Sequence, residues 1–169
     1  MAPEQLCIQQ AGIADLPKIM EIYNSTIPGR MVTADLNPVS VEERIEWFHA
    51  HPPGKYPLLV VFEENEMVGW ISFQPFYGRP AYDFTAELSI YLDQKFRGLG
   101  YGSYLLSEAI NLGIDLHFKT LLGFIFGHNE PSLRLFYKSG FEQYACLPKI
   151  AILDGIERDL LILGKRIAK

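Results

Sequence analysis

Apolar and polar residues alternate along the stretch from Phe84 to Leu92. Phe84, Ala86, Leu88, Ile90 and Leu92 take one set of positions, and Thr85, Glu87, Ser89 and Tyr91 the other. A two-residue period predicts a strand. It sets a carboxylate, Glu87, among polar side chains on one face and leaves the other face for a core. Past Asp93 and Gln94 the period changes. Arg97-Gly98-Leu99-Gly100-Tyr101-Gly102 is a tight glycine loop, and Leu105, Leu106, Ala109, Ile110 and Gly113 then recur at helical spacing.

The same reading orders the rest of the chain. Residues 6–10 form a short strand, and Asp15 opens a helix with Pro17 in its first turn and Ile19, Met20, Ile22 and Tyr23 on its apolar side. Residues 28–40 carry no period and read as a loop. Ser40 and Glu43 form a capping box before a second helix marked by Ile45, Trp47 and Phe48. His49 and His51 fall at its end without a nearby third ligand, so no metal site is expected. The apolar run 58–63 predicts a central strand. After a polar turn, Met67–Phe76 returns as its hairpin partner, so the strand bearing Glu87 completes an antiparallel meander. Thr120–Phe126 reads as a buried strand, parallel to the Glu87 strand if the intervening helix is a crossover. Asn129–Ser139 predicts a helix stopped by Gly140. Phe141–Ala145 and Asp159–Leu163 are closing strands, with a turn at Asp154-Gly155 between them.

Length and charge narrow the function. The 169 residues are 49% hydrophobic, enough for one substantial core, and the expected organisation is a single α/β domain over 1–169 with a mixed sheet. A net charge of −5 offers no field to attract nucleic acid or an anionic membrane. Cys7 and Cys146 lack metal or disulfide spacing. No segment has the composition of a signal peptide or membrane span, so a cytoplasmic location is expected.

The glycine loop supplies the chemistry. At the start of a helix the first backbone N–H groups have no internal partner, and their dipoles sum to a partial positive charge. Glycines let backbone approach a bulky anion, and Arg97 adds a planar cation, so the loop reads as a pyrophosphate cradle. It is not a Walker loop, because Tyr101-Gly102-Ser103 follows Gly100 where Gly-Lys-Ser/Thr is needed. The spacing Gly98, Gly100, Gly102 also departs from the dinucleotide fingerprint. It matches Gln/Arg-x-x-Gly-x-Gly/Ala, the pantetheine-pyrophosphate loop of the GNAT superfamily of N-acetyltransferases.

With Ile22-Tyr23-Asn24, Thr85 to Leu92, Asn129-Glu130-Pro131-Ser132 and Gly140-Phe141, the chain resembles that superfamily from Gln9 to Leu163. Within it, the chain is similar to the phosphinothricin and methionine sulfoximine acetyltransferases. The resemblance implies a mostly antiparallel sheet flanked by helices, whose Glu87 and Thr120–Phe126 strands splay into a V that takes acetyl-CoA. It sets Ser89, Ile90 and Tyr91 along the acetyl and pantetheine groups, Arg97 to Gly102 (including Leu99 and Tyr101) around the pyrophosphate, and Asn129 and Ser132 beside the pantetheine. Glu87 is the expected base for the acceptor amine, directly or through water.

At the position where relatives carry a Tyr or His acid this chain has Phe136, with Tyr137 one helical step away. Related enzymes place two arginines before the Glu87 strand to hold a substrate carboxylate. Here Arg79 is kept and Tyr77 replaces the first. Arg30 and Thr33, in the unpatterned loop, are expected to close over the substrate. Leu147-Pro148-Lys149-Ile150 and Asp154-Gly155 depart from the herbicide-resistance enzymes. The expected reaction is therefore transfer of acetyl to the amine of a small amino-acid-like acceptor, by a homodimer. The alternatives are another amine (a polyamine, aminoglycoside or peptide N-terminus) or a non-catalytic acyl-CoA-binding module.

Overall fold

A computed structural model describes residues 6–168. One seven-stranded sheet organises them: β1 (Leu6–Gln10), β2 (Leu58–Glu63), β3 (Glu66–Pro75), β4 (Thr85–Leu92), β5 (Thr120–Phe126), β6 (Glu142–Leu153) and β7 (Ile156–Arg166), in spatial order β1-β2-β3-β4-β5-β7-β6. The helices are α1 (Leu16–Ser25), α2 (Ile45–His49), α3 (Tyr101–Asp115) and α4 (Glu130–Lys138). β2, β3 and β4 are the antiparallel meander that the hairpin signals predict, and β1 pairs antiparallel on the outer edge of β2. α3 is the crossover that makes β5 parallel to β4.

Strand alternation divides the interior into two cores. On one face Leu88 joins Phe73, Leu105, Leu106 and Leu121 beneath α3 and α4. On the other, Trp70 and Tyr91 pack with Met20 and Tyr23 of α1 and Trp47 of α2. The two layers are the direct consequence of a period of two through a sheet covered on both sides.

The last two strands differ from expectation. They form one long hairpin turning at Asp154-Gly155, rather than two short strands with an irregular connection. Pro148 and Lys149 hide the first strand from a periodicity reading, because the pairing slips between Leu147 and Ala151 and Lys149 turns to a φ of 52°. β6 is an edge strand. Tyr144, Leu147, Ile150 and Ile152 are exposed along it.

On β3, a Cβ added at Gly69 would lie 2.2 Å from the carbonyl oxygen of Tyr91 on β4. That oxygen belongs to a strand paired with β3 from Ala86 to Leu92 and cannot give way as a side-chain tip can. Gly69→Ala is expected to lose about 1–3 kcal/mol of stability, read as a lower urea midpoint with an unchanged slope.

Candidate active site

β4 and β5 pair only at Thr85–Thr120, Ala86–Leu121 and Glu87–Leu122. Beyond these, β4 stays with β3 and β5 stays with β7, so the two strands part. The inner edges of Leu88–Tyr91 and Gly123–Ile125 then face a cavity instead of each other. Edge N–H and C=O groups without a ladder partner are suited to an extended, amide-bearing ligand. Gly123 gives the ring of Phe136 room to pack against β5. A Cβ there would meet the ring of Phe136 at 2.7 Å.

The glycine loop lies at the wide end of the V. Gly98 and Gly100 have φ of 74° and 86°, in the left-handed region that favours glycine, and nothing stands within 4 Å of the site of either missing Cβ. The space above the first turn of α3 is therefore free for a phosphate-sized group. The side chain of Tyr101 turns away, packing on Phe96 and donating to Glu63 at 2.5 Å, which leaves only its backbone at the loop. Leu99 is exposed. Gly102 has a packing role as well, since Leu135 would stand 3.3 Å from its Cβ. Arg97 folds back, donating from Nε and Nη2 to the carbonyl oxygen of Leu92 at 3.3 and 3.2 Å. Its fork covers the end of β4.

Asn129 is buried and caps α4. Its Oδ1 accepts from the backbone of Ser132 at 3.4 Å, and its Nδ2 donates to Met31 O at 3.2 Å. With His128 Nε2, which donates to Arg30 O at 2.7 Å, it fastens residues 30–31 to the β5 side of the V. Val32 follows and lines the cavity. Arg30 itself donates to Asp154 Oδ2 at 3.0 Å and Leu36 O at 2.8 Å. The unpatterned loop is thus a strap tied across the V. Ser132 and Phe136 line the cavity, whereas Tyr137 is 44% exposed on the other side of α4.

Glu87, Ser89 and Tyr91 point to the opposite face, into a second cavity of about 160 Å³ beneath α1 and α2. Its floor is a ladder of cross-strand pairs, Trp70–Tyr91, Ser72–Ser89 and Gln74–Glu87, with the first pair of rings stacked at 4.3 Å. Met20, Tyr23, Arg44 and Trp47 complete it. Burial raises the pKa of Glu87, and no nearby cation offsets it. Burial also raises Tyr91 well above its ordinary range. Thr33 reaches this region through Tyr23, whose hydroxyl is 2.6 Å from Thr33 Oγ1 and donates to Asp35. Tyr77 and Arg79 sit on an exposed turn after β3, outside the residues that line either cavity.

Sequence reading brought Glu87, Ser89, Ile90, Tyr91, Asn129 and Ser132 to the two cavities, which meet at β4. It missed Arg44, Trp47 and Trp70. Arg44 follows the Ser40–Glu43 capping box directly, and no motif distinguishes it from a helix-surface arginine.

The profile of the acetyltransferase (GNAT) family matches residues 16–141. The chain is 52% identical over 155 residues to the Bacillus subtilis (strain 168) protein named "Putative phosphinothricin acetyltransferase YwnH", covering 91% of this chain and 94% of that one. It is 31% identical over 160 residues to an L-methionine sulfoximine/L-methionine sulfone acetyltransferase of Pseudomonas paraeruginosa (strain DSM 24068 / PA7), covering 92% and 91%. Among solved structures it superposes on a GNAT superfamily phosphinothricin acetyltransferase from Sinorhizobium meliloti in complex with acetyl-CoA, with a TM-score of 0.89, 29% identity and coverage of 96% and 88%. The splayed strands, the open glycine loop and these likenesses agree: the chain belongs to the GNAT family of acetyltransferases, and acetyl-CoA is its acyl donor.

Proposed function

We propose that this enzyme acetylates the primary amine of a small amino-acid-like acceptor, such as methionine sulfoximine or a phosphinothricin analogue, by direct attack on the thioester. The observation that carries the reading is the meeting of two cavities at β4. The V takes an extended thioester along the backbone of Leu88–Tyr91, and the cavity on the other face presents Glu87 to the attacking nitrogen.

The chemistry follows from that arrangement. An ammonium has no lone pair to give, so Glu87, ionised and short of hydration, takes one of its protons directly or through a water. The freed nitrogen attacks the thioester carbonyl, the C–S bond breaks, the nitrogen gives its second proton to water, and the product leaves as a neutral acetamide. The thiolate departs with the electron pair and is protonated from water, since Phe136 offers no proton and Tyr137 faces outward. Backbone N–H groups along the unpaired edge of β4 are suited to hold the carbonyl oxygen as charge grows on it. The pyrophosphate is held by the amides of the Gly98–Gly102 turn, with Arg97 released from Leu92 to join them.

The charge in the acceptor cavity, about 160 Å³ in volume, favours an acceptor bearing an anion over a polycation. Its wall carries the cation of Arg44. A second copy of the chain fits the exposed apolar row Tyr144, Leu147, Ile150 and Ile152 on the β6 edge.

The test is an acceptor panel with acetyl-CoA, following free thiol. Turnover of methionine sulfoximine, methionine sulfone or phosphinothricin, with little on spermidine or kanamycin, is the expected result. Turnover confined to the polycations overturns the reading.

A further inference from the structure

Arg44 stands in the wall of the acceptor cavity, and its contacts hold only part of its guanidinium. Nη2 donates to Asp35 Oδ2 at 3.0 Å and to the Tyr23 hydroxyl at 3.4 Å. The group also lies 5.1 Å from the Tyr23 ring centroid and 5.8 Å from that of Trp47. Two aromatic faces and one carboxylate thus fix the plane of the fork. Nε and Nη1 have no hydrogen-bond partner among the described residues. On the floor of the same cavity the fully buried Ser72 Oγ also lacks a partner among the described residues. A buried hydroxyl left unpaired costs stability. A cavity with an oriented, half-used arginine, an unpaired hydroxyl and a desolvated carboxylate is built for a small molecule bearing both an anion and an amine.

We propose that Arg44 is the anchor for the acceptor's carboxylate, with Nη1 donating to a carboxylate oxygen while the amine is turned toward Glu87. This rests on the amino-acid reading of the acceptor and deepens it. Asp35 acts as a positioning residue: it holds Nη2 and so aims the rest of the fork. The strap from Arg30 to Asp35 therefore has a second function, because the loop that crosses the V also sets the arginine that selects the acceptor.

The experiment compares two acceptors that differ only in the carboxylate, methionine sulfone and 3-(methylsulfonyl)propylamine. They are offered to wild type, Arg44→Gln, Arg44→Lys and Arg79→Ala. Wild type is expected to prefer methionine sulfone. Arg44→Gln should lose that preference through a KM for methionine sulfone raised roughly 10- to 100-fold, with the KM for acetyl-CoA unmoved. Arg44→Lys keeps the charge and the aromatic packing, guards against a folding defect, and should fall between them. The proposal is overturned if both Arg44 variants retain the preference, if Arg79→Ala abolishes it while they do not, or if wild type shows no preference at all. If wild type turns over neither compound nor any other amino acid, the acceptor reading itself falls, and the anchor with it.

Discussion

Glu87→Gln is expected to lower kcat/KM for the amine by about 10²- to 10⁴-fold, the usual contribution of a positioned general base. Acetyl-CoA affinity should hold, because the side chain faces the acceptor cavity and not the V. In wild type, kcat/KM should rise with pH through the raised pKa of Glu87, since only the carboxylate accepts a proton. In the variant that limb should vanish. Stability gives an independent check. A carboxyl whose pKa is higher folded than unfolded contributes no penalty below the unfolded value, and a full penalty once pH exceeds the folded value. Glu87→Gln should therefore be at least as stable as wild type at neutral pH. A variant that lost activity and melted early would have lost its fold, and one that kept its activity would remove Glu87 from the reaction.

Trp70→Ala should be the most damaging core substitution in the acceptor half, costing about 3–5 kcal/mol. Trp70 is 3% exposed, stacks on Tyr91, meets Trp47 edge-on at 5.6 Å and donates its indole N–H to Ile19 O at 3.2 Å. Its removal leaves a void, deprives a buried carbonyl of a donor and lets Tyr91 tip out of the cavity floor. Urea unfolding should show the loss in midpoint. In the folded fraction the acceptor KM should rise more than the KM for acetyl-CoA, because the V is lined from the other side of the sheet. Trp70→Phe, which keeps a ring against Tyr91 but not the N–H, should recover most of the stability. Equal losses in the two variants would assign the effect to the hydrogen bond and not to the packing.

The part of the site that lies on one strand was legible, because a strand writes its two faces directly into alternation. Glu87, Ser89 and Tyr91 could be put on one face and Leu88 on the other from sequence alone. The glycines at 98 and 100 were legible too, since few residues other than glycine tolerate those φ values. Arg97 reads as a phosphate fork, and in the folded chain its Nε and Nη2 donate to Leu92 O. An arginine beside a glycine loop carries no mark of which acceptor reaches it first. The long hairpin was underestimated because an edge strand under no packing demand need not alternate strictly.

The order of elements, the parallel placing of β5 beside β4 and the chemistry of the donor end are consequences of local rules: period, turn residues and unpaired helix-terminal amides. Those act over a few residues, and the chain states them. Arg44, Trp70 and Ser72 become one cavity, with Asp35 holding Arg44, only when α1, α2, the strap and β3 close over the face of β4. What joins them is burial and complementary charge across 9 to 51 residues of chain, an interaction that has no period to leave in the sequence.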